Sequence, residues 1–214
     1  KHFGNEKLFH REGWEYIVKE HGGYLPIEIQ ALDEGTVTSP HQVLVQVMNT
    51  DENAYWLSTY LETSLLRAIW YPTTVASLSR NVRNMIKQYM LDTCDSLESL
   101  PFMLQDFGAR GASSRESAAL GGMGHLLSFQ GSDTIEAIVA ARMYYGEKMA
   151  GYSIPAAEHS TITSWGRDGE LDAFKNMLDQ FLKEGKSVSV VSDSYDIWRS
   201  IDEFWGSDLK DRIL

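Results

Sequence analysis

The sequence predicts an α/β protein in which a mixed α+β portion comes first and strands alternating with helices follow. Three observations support this fold class. Two short apolar runs typical of strands precede two long helical patterns, the pattern changes at about residue 100, and an uninterrupted run rich in β-branched valine occupies residues 187–192. We therefore expect two domains, at residues 1–100 and 101–214, without a flexible linker between them.

The first portion is predicted to begin with a short amphipathic helix. The apolar side chains of its buried stripe are Phe9, Trp14, Ile17 and Val18. Residues 27–29 and 43–47 are predicted strands, with a turn signal at 33–35 between them. Two helices follow, one from about Ala54 to Trp70 and one that begins at Pro72, because proline is favoured at the first helical position.

The second portion is predicted to alternate strands and helices. Its strands are expected at 102–104, 126–129 and 187–192. Its helices are expected from the capping box at 113–116 through His125, from Thr134 to Tyr145, from 168 or 169 to 182, and from 197 to 204. This alternation is typical of parallel strands joined by crossover helices.

Composition and charge exclude several classes of protein. The chain has 214 residues and a formal net charge of −11, which disfavours a nucleic-acid-binding surface. No apolar run is long enough to cross a membrane, and residues 1–6 lack the core of a signal peptide. The single cysteine, Cys94, suits a reducing compartment, and Asp92 and Asp95 beside it predict a buried structural thiol. We expect a cytoplasmic protein that binds neither nucleic acid nor membrane.

Polar residues concentrate directly after the predicted strands and before one predicted helix. The four clusters are 106–111, 131–134, 151–161 and 192–196. The carboxyl ends of parallel strands form the ligand face in α/β folds, so these clusters are candidates for a binding site. The alternative is that Asp133, Asp193 and Ser113 only cap helices, because caps require Asp or Ser at such positions.

Long motifs in and before these clusters are the most specific signal in the sequence. They are Glu62-Thr63-x-Leu65, Trp70-Tyr71-Pro72-x-Thr74-Val75-Ala76, Asp106-Phe107-Gly108-x-Arg110-Gly111, Gly131-x-Asp133-Thr134, Tyr152-Ser153-x-Pro155-Ala156-Ala157-Glu158-His159-Ser160-Thr161 and Val190-Val191-Ser192-Asp193-Ser194-Tyr195-Asp196. Together they resemble the nicotinamide phosphoribosyltransferases, a type II phosphoribosyltransferase family, over nearly the whole chain. The resemblance implies that residues 101–214 form the first part of an irregular α/β barrel, and that the family's proteins extend beyond both ends of this sequence.

The resemblance also implies a reaction. A phosphoribosyl group passes from 5-phosphoribosyl 1-pyrophosphate to nicotinamide, giving nicotinamide mononucleotide and pyrophosphate in NAD salvage. Mg²⁺ accompanies the pyrophosphate, ATP is a facultative co-substrate, and a homodimer forms the active site at its subunit interface. Such chemistry requires a neutralised leaving group, an oriented pyridine ring and exclusion of water. The resemblance places the phosphate- and pyrophosphate-binding residues outside this sequence, and no metal ligand is assigned within it.

The resemblance assigns five residues to substrate binding, namely Phe107, Arg110, Asp133, Ser153 and Ser189. Phe107 is expected to stack on the pyridine ring, although a phenylalanine after a strand is commonly a core residue. Asp133 is expected to accept the amide N–H of nicotinamide and to repel the carboxylate of nicotinate. Arg110 is expected to bind either the amide oxygen or phosphate oxygens, and its alternative is a structural ion pair with Asp106. Ala109 replaces an aromatic residue common in the family, which predicts a wider wall near the ring.

The resemblance makes His159 the residue that ATP phosphorylates. An imidazole nitrogen is a competent nucleophile when an acceptor holds the other nitrogen, and Glu158 and Asp193 are both candidates for that acceptor. Asp193 is also a candidate for contact with the ribose. Ser153 and Ser189 match positions that line a tunnel leading away from the ring. His10, His21 and His41 lie among charged or turn residues and are predicted to be solvated.

Two other functions remain open at this stage. Nicotinate phosphoribosyltransferases share the fold and the motifs at 62–76, whereas Asp133 and the segment around His159 favour nicotinamide. A non-catalytic binding role is the second alternative, because the sequence covers only part of the family's length.

Overall fold

A computed structural model describes residues 2–5, 7–183 and 186–213. Its internal contacts group the chain into two compact units, at residues 1–150 and 151–214. The domain division predicted near residue 100 stays a prediction. None of the helices in the described part of the chain is long and apolar enough to cross a membrane.

The first unit opens with a helix and an antiparallel strand pair. Helix α1 spans Arg11–His21 and ends at Gly22, whose φ of 61° is left-handed, as is common after a helix. Strands β1 (Ile27–Ala31) and β2 (Val45–Asn49) pair with Ile29 opposite Val47. The predicted helix and strands are confirmed. Of the predicted helical stripe, Ile17 is buried and Trp14 half-buried, whereas the stripe residues 9 and 18 are exposed.

Asp51 links α1 to the segment that follows β2. Its carboxylate accepts hydrogen bonds from the Tyr16 hydroxyl at 2.9 Å, His21 Nε2 at 2.7 Å and the Asn53 backbone N–H at 2.8 Å. The bond from Asn53, followed by those from His21 and Tyr16, lowers the pKa of Asp51 to about 2. The prediction that His21 is simply solvated is wrong, because this ring is part of a partly buried network.

One helix replaces the two that were predicted between residues 54 and 93. A 3₁₀ turn (Glu52–Ala54) leads to α2, which runs unbroken over Leu57–Thr93 with Pro72 inside it. A proline inside a helix removes one main-chain hydrogen bond. Here the next helix packs against α2 at this point, where Gly124 lies close to the Pro72 carbonyl. Tertiary packing therefore outweighs the local stop signal. The predicted burial of Cys94 is also wrong, since it follows the last turn of α2 and is exposed.

The rest of the first unit is a short parallel β pair with helices beside it. After a 3₁₀ turn (Leu100–Phe102), strand β3 (Gln105–Asp106) pairs in parallel with β4 (Gly131–Ser132). Helix α3 (Arg115–Leu126) connects them and α4 (Ile135–Tyr145) follows. Both helices were predicted. The strands predicted at 102–104 and 126–129 are misplaced by two to five residues, because those apolar side chains finish helical turns and Phe129 is fully buried.

The second unit packs helices around one apolar core. Its helices are α5 (His159–Thr163), α6 (Glu170–Phe181), α7 (Ile197–Arg199), a π-helical segment (Ser200–Asp208) and α8 (Lys210–Ile213). The core contains Phe174, Leu178, Phe204 and Leu209. The predicted strand at 187–192 is reduced to a single parallel bridge between Ala156 and Ser189, because the described residues offer it only that short neighbour.

The predicted fold class is confirmed at the level of a mixed α/β protein that combines helices with small sheets. The barrel stays a prediction.

Candidate active site

The first unit contains a cavity of about 310 Å³ at the ends of β3 and β4. We call it the Phe107 cavity. Its lining residues are Tyr71, Val75, Gln105, Asp106, Phe107, Gly108, Ala109, Ala112, Ala118, Gly121, Gly122, His125 and Thr134. The lining thus combines α2, α3 and the two loops that follow the parallel strands. Ala109 forms part of the wall, at the position where the sequence predicted extra width.

A tight turn after β3 presents Phe107. The Asp106 carboxylate accepts the Gly108 N–H at 2.8 Å, and the Asp106 carbonyl accepts the Asp133 N–H at 2.9 Å. These bonds tie the loop after β3 to the loop after β4. Phe107 stays half-exposed at 51%. It is therefore a cavity-lining side chain and not a core residue, and an exposed ring face is able to stack on a planar ligand.

Gly122 in α3 allows the elements around the cavity to lie close to one another. A Cβ at Gly122 would lie 2.5 Å from Ala137 Cβ and 3.2 Å from Asp106 Oδ2. Because no side chain occupies this position, α3 lies directly against α4 and beside the turn that presents Phe107.

Polar atoms at the base of the cavity come from residues to which the sequence assigned no role. His125 is 5% exposed, and its Nε2 lies 2.9 Å from the Gly131 carbonyl. A carbonyl only accepts, so Nε2 carries the proton. Gln105 Oε1 and Thr134 Oγ1 are buried without a hydrogen-bond partner among the described residues. Only the motif Gly131-x-Asp133-Thr134 pointed to Thr134 in advance.

Arg110 and Asp133 are exposed side chains on the two loops beside the cavity. Each adjoins lining residues in sequence, but neither is among the described residues that line the cavity. The simple capping alternative receives no support. The N-cap residues are the neighbours Ser114, Thr134 and Asp196, and not positions 113, 133 and 193. The substrate-binding roles of Arg110 and Asp133 stay predictions.

The second unit brings together two predicted site residues that are 34 positions apart. His159 Nε2 lies 2.9 Å from Asp193 Oδ1. The two side chains are 65% and 62% exposed, so solvent reaches both. A carboxylate only accepts, so it holds the proton on Nε2 and leaves the lone pair on Nδ1. Of the two acceptors proposed for this imidazole, Asp193 is within hydrogen-bond distance, whereas Glu158 is the N-cap residue of α5.

The two predicted tunnel serines lie near this pair in sequence. Ser189 makes the parallel bridge to Ala156, and its carbonyl accepts the Ala157 N–H at 2.9 Å. The Ser153 hydroxyl donates to the Ile154 carbonyl at 3.4 Å. Ser153 precedes the segment that leads to α5, and Ser189 pairs with Ala156 within that segment. The place of both serines in a tunnel stays a prediction.

Glu170 is a buried carboxyl group that the sequence did not reveal. It is 2% exposed, and its Oε1 has no hydrogen-bond partner among the described residues. Burial raises the pKa of Glu170, and the positive charges of Arg199 and Arg167 oppose that rise. An acidic residue in the first turn of a helix is usually solvated, so no local pattern distinguished this one.

The described residues contain no group of three or more His, Cys, Asp or Glu side chains that could hold a metal ion. Magnesium usually keeps several waters and binds through one or two carboxylates together with substrate phosphates. Binding of that kind does not depend on a cluster of three protein ligands.

Comparison with known proteins supplies the family context for this geometry. The model of the nicotinate phosphoribosyltransferase family matches residues 102–214. A nicotinamide phosphoribosyltransferase of Xanthomonas campestris pv. campestris is 54% identical over 96% of this chain and 44% of its own length. Proteins with the same name from Acinetobacter baylyi and Mycoplasma pneumoniae are 37% and 34% identical, over 85% and 93% of this chain and 36% and 42% of theirs. The chain thus spans less than half the length of each of these relatives.

Proposed function

The chain belongs to the nicotinate phosphoribosyltransferase family, and from this premise we propose that the protein transfers a phosphoribosyl group to nicotinamide. The donor is 5-phosphoribosyl 1-pyrophosphate, and the products are nicotinamide mononucleotide and pyrophosphate in NAD salvage. The names of the relatives support the choice of nicotinamide as the acceptor.

The observation that carries this proposal is the half-exposed Phe107 ring at a cavity lined by the two strand-end loops. In the transfer, the pyridine nitrogen forms a bond to the anomeric carbon of the sugar. The bond from that carbon to the pyrophosphate oxygen breaks, and the oxygen leaves with the electron pair. A ring held flat against Phe107 keeps its nitrogen aimed at the carbon, which lowers the entropic part of the barrier.

We further propose that Asp133 selects the amide. A carboxylate accepts an N–H of nicotinamide but repels the carboxylate of nicotinate. Arg110, on the other loop, is proposed to bind either the amide oxygen or phosphate oxygens. Magnesium is proposed to arrive with the pyrophosphate donor, where it neutralises the leaving group.

Product formation from nicotinamide and from nicotinate tests the selection. We expect Asp133→Asn to reduce the ratio of kcat/KM for the two substrates by at least about tenfold, the factor that 1.4 kcal/mol supplies. The control is Asp92→Asn, which changes an exposed aspartate well before Asp133 in the sequence. An unaltered preference in Asp133→Asn refutes this role.

His159 and Asp193 are proposed to couple ATP hydrolysis to synthesis. The γ-phosphoryl group moves from ATP to the free ring nitrogen of His159, ADP leaves, and water later releases phosphate from the histidine. The 2.9 Å contact supports this role because Asp193 holds the proton on Nε2. We expect ATP to stimulate the parent but not His159→Ala. A variant stimulated as strongly as the parent contradicts the proposal, and the basal rate without ATP is the control.

Three other properties are proposed from the family: a complete α/β barrel, a homodimer, and active sites at its subunit interface. The main alternative function is transfer to nicotinate, which the description of the matching family favours. The same substrate comparison decides between them, since a parent that prefers nicotinate refutes the nicotinamide assignment.

A further inference from the structure

We propose that Trp205 is a positioning residue that acts through Ser192 to hold Asp193 within hydrogen-bond distance of His159. The inference deepens the proposed function and rests on it, because the His159–Asp193 pair is the one assigned to phosphoryl transfer. The sequence placed Ser192 in a candidate cluster but gave neither Ser192 nor Trp205 a role of its own.

A short hydrogen-bond relay connects the two residues. The Trp205 indole N–H donates to Ser192 Oγ at 2.9 Å, and the Ser192 hydroxyl donates to the Val190 carbonyl at 3.0 Å. The indole can only donate, so the hydroxyl must accept from it and direct its own proton to Val190. Both Ser192 and Trp205 are partly buried, which limits competition from water. The backbone immediately before Asp193 is thereby held in one orientation.

Trp205 is itself attached to the core of the second unit. Its indole stacks on Phe174 with ring centroids 5.0 Å apart and an interplanar angle of 11°. Phe174 is fully buried and belongs to the core cluster. Trp205 lies in the π-helical segment Ser200–Asp208, and π-helical turns are frequent at functional sites. The relay therefore begins at a rigid point.

The other side of Asp193 is also held. The Arg167 guanidinium lies over the Tyr195 ring at 5.1 Å, and the Asp196 carboxylate accepts the Arg199 N–H at 3.1 Å. Within residues 192–196, the exposed Asp193 thus lies between Ser192, which the relay holds, and Tyr195 and Asp196, which these two contacts hold.

Such anchoring matters because the His159–Asp193 pair is exposed. Surface ion pairs gain little net energy, since water and side-chain entropy compete with them. Productive constellations must nevertheless be held within about 0.5 Å. The pair therefore depends on positioning by the backbone, which is what the relay supplies.

The test compares Trp205→Phe and Ser192→Ala with the parent by long-range ¹H–¹⁵N NMR of the His159 imidazole. Trp205→Phe keeps an aromatic ring for Phe174 but removes the donor, and Ser192→Ala removes the acceptor without changing the stack. Asp193→Ala gives the spectrum of the unpaired ring. Trp198→Phe is the matched control, because Trp198 is 74% exposed on the adjoining α7.

We expect both relay variants to shift the His159 resonances part of the way toward those of Asp193→Ala. The ratio of paired to unpaired ring should fall about 2- to 10-fold, the factor that one net hydrogen bond supplies. The double variant should shift no further than either single variant, because both remove one link. Trp198→Phe should match the parent. A change confined to overall stability would leave the resonances of the folded protein in place.

Two outcomes overturn the proposal. In the first, Asp193→Ala alters the His159 spectrum but the relay variants keep the spectrum of the parent. In the second, the Asp193→Ala spectrum is identical to that of the parent. The spectra are recorded without ATP, so the outcome does not depend on the proposed function. If the relay variants shift as expected but ATP never phosphorylates His159 in the parent, the positioning role is supported and the phosphoryl-transfer role fails.

Discussion

Replacing Gly122 with alanine tests whether α3 owes its position to the missing side chain. The new Cβ would lie 2.5 Å from Ala137 Cβ, whereas carbon atoms pack at about 3.5–4.0 Å. Helices α3 and α4 would have to separate by about 1 Å, because neither Cβ is able to rotate away. Overpacking of this kind costs about 1–3 kcal/mol. Helix propensity alone predicts the opposite, a gain of about 1 kcal/mol for Gly→Ala.

We therefore expect Gly122→Ala to lower the free energy of unfolding by about 1 kcal/mol, which is an overpacking cost of about 2 kcal/mol less the propensity gain of about 1 kcal/mol. Urea denaturation followed by circular dichroism measures it. Gly111→Ala is the matched control, since a Cβ there meets no atom within 4 Å. Its effect should stay within about 0.5 kcal/mol. Adding Ala137→Gly to Gly122→Ala removes the clashing Cβ and should recover part of the loss. A Gly122→Ala protein as stable as the parent refutes the close-approach argument.

Two further predictions concern buried or bonded carboxylates. The pKa of Asp51 is lowered to about 2 by its bonds to Asn53, His21 and Tyr16, so its stabilising contribution is present above pH ~4 and is lost as the pH falls toward 2. Urea denaturation across this range should show a steeper loss in the parent than in Asp51→Asn, and equal slopes would contradict the network. The pKa of Glu170 is raised by burial, so the parent should lose stability as the pH rises above ~4.5, through the raised folded-state pKa. Glu170→Gln should lack that loss, and its stability advantage should grow with pH; an advantage that does not change with pH contradicts the burial argument.

Local patterns predicted much of the chain correctly. Helices α3, α4 and α6 were predicted with nearly the observed bounds, because capping residues and apolar periodicity act over a few positions. The Phe107 motif was also placed correctly, at the turn after a parallel strand. His159 was recognised together with two possible partners, one of which lies at hydrogen-bond distance.

The misses at Pro72 and Ser189 share a cause, since each depends on residues far away in the sequence. Pro72 reads as a helix start, yet α3 packs beside it and α2 continues through it. The β-branched run around Ser189 reads as a full strand, but a ladder needs a neighbour of equal length, and the described residues supply a single bridge. Cys94 was predicted to be buried from the charges of its neighbours, whereas its place at the end of a helix leaves it exposed.

The amino-acid order was enough to recognise the family from its motifs, to predict most helices and to nominate candidate site residues, because motifs, caps and periodicity each lie within a short stretch of sequence. The folded arrangement decided which side chains meet. In it, Asp193 lies within hydrogen-bond distance of His159, Ser192 accepts a hydrogen bond from Trp205, and Glu170 is buried. These two hydrogen bonds join residues 13 and 34 positions apart. Their geometry follows from how the core packs, which short-range periodicity does not encode.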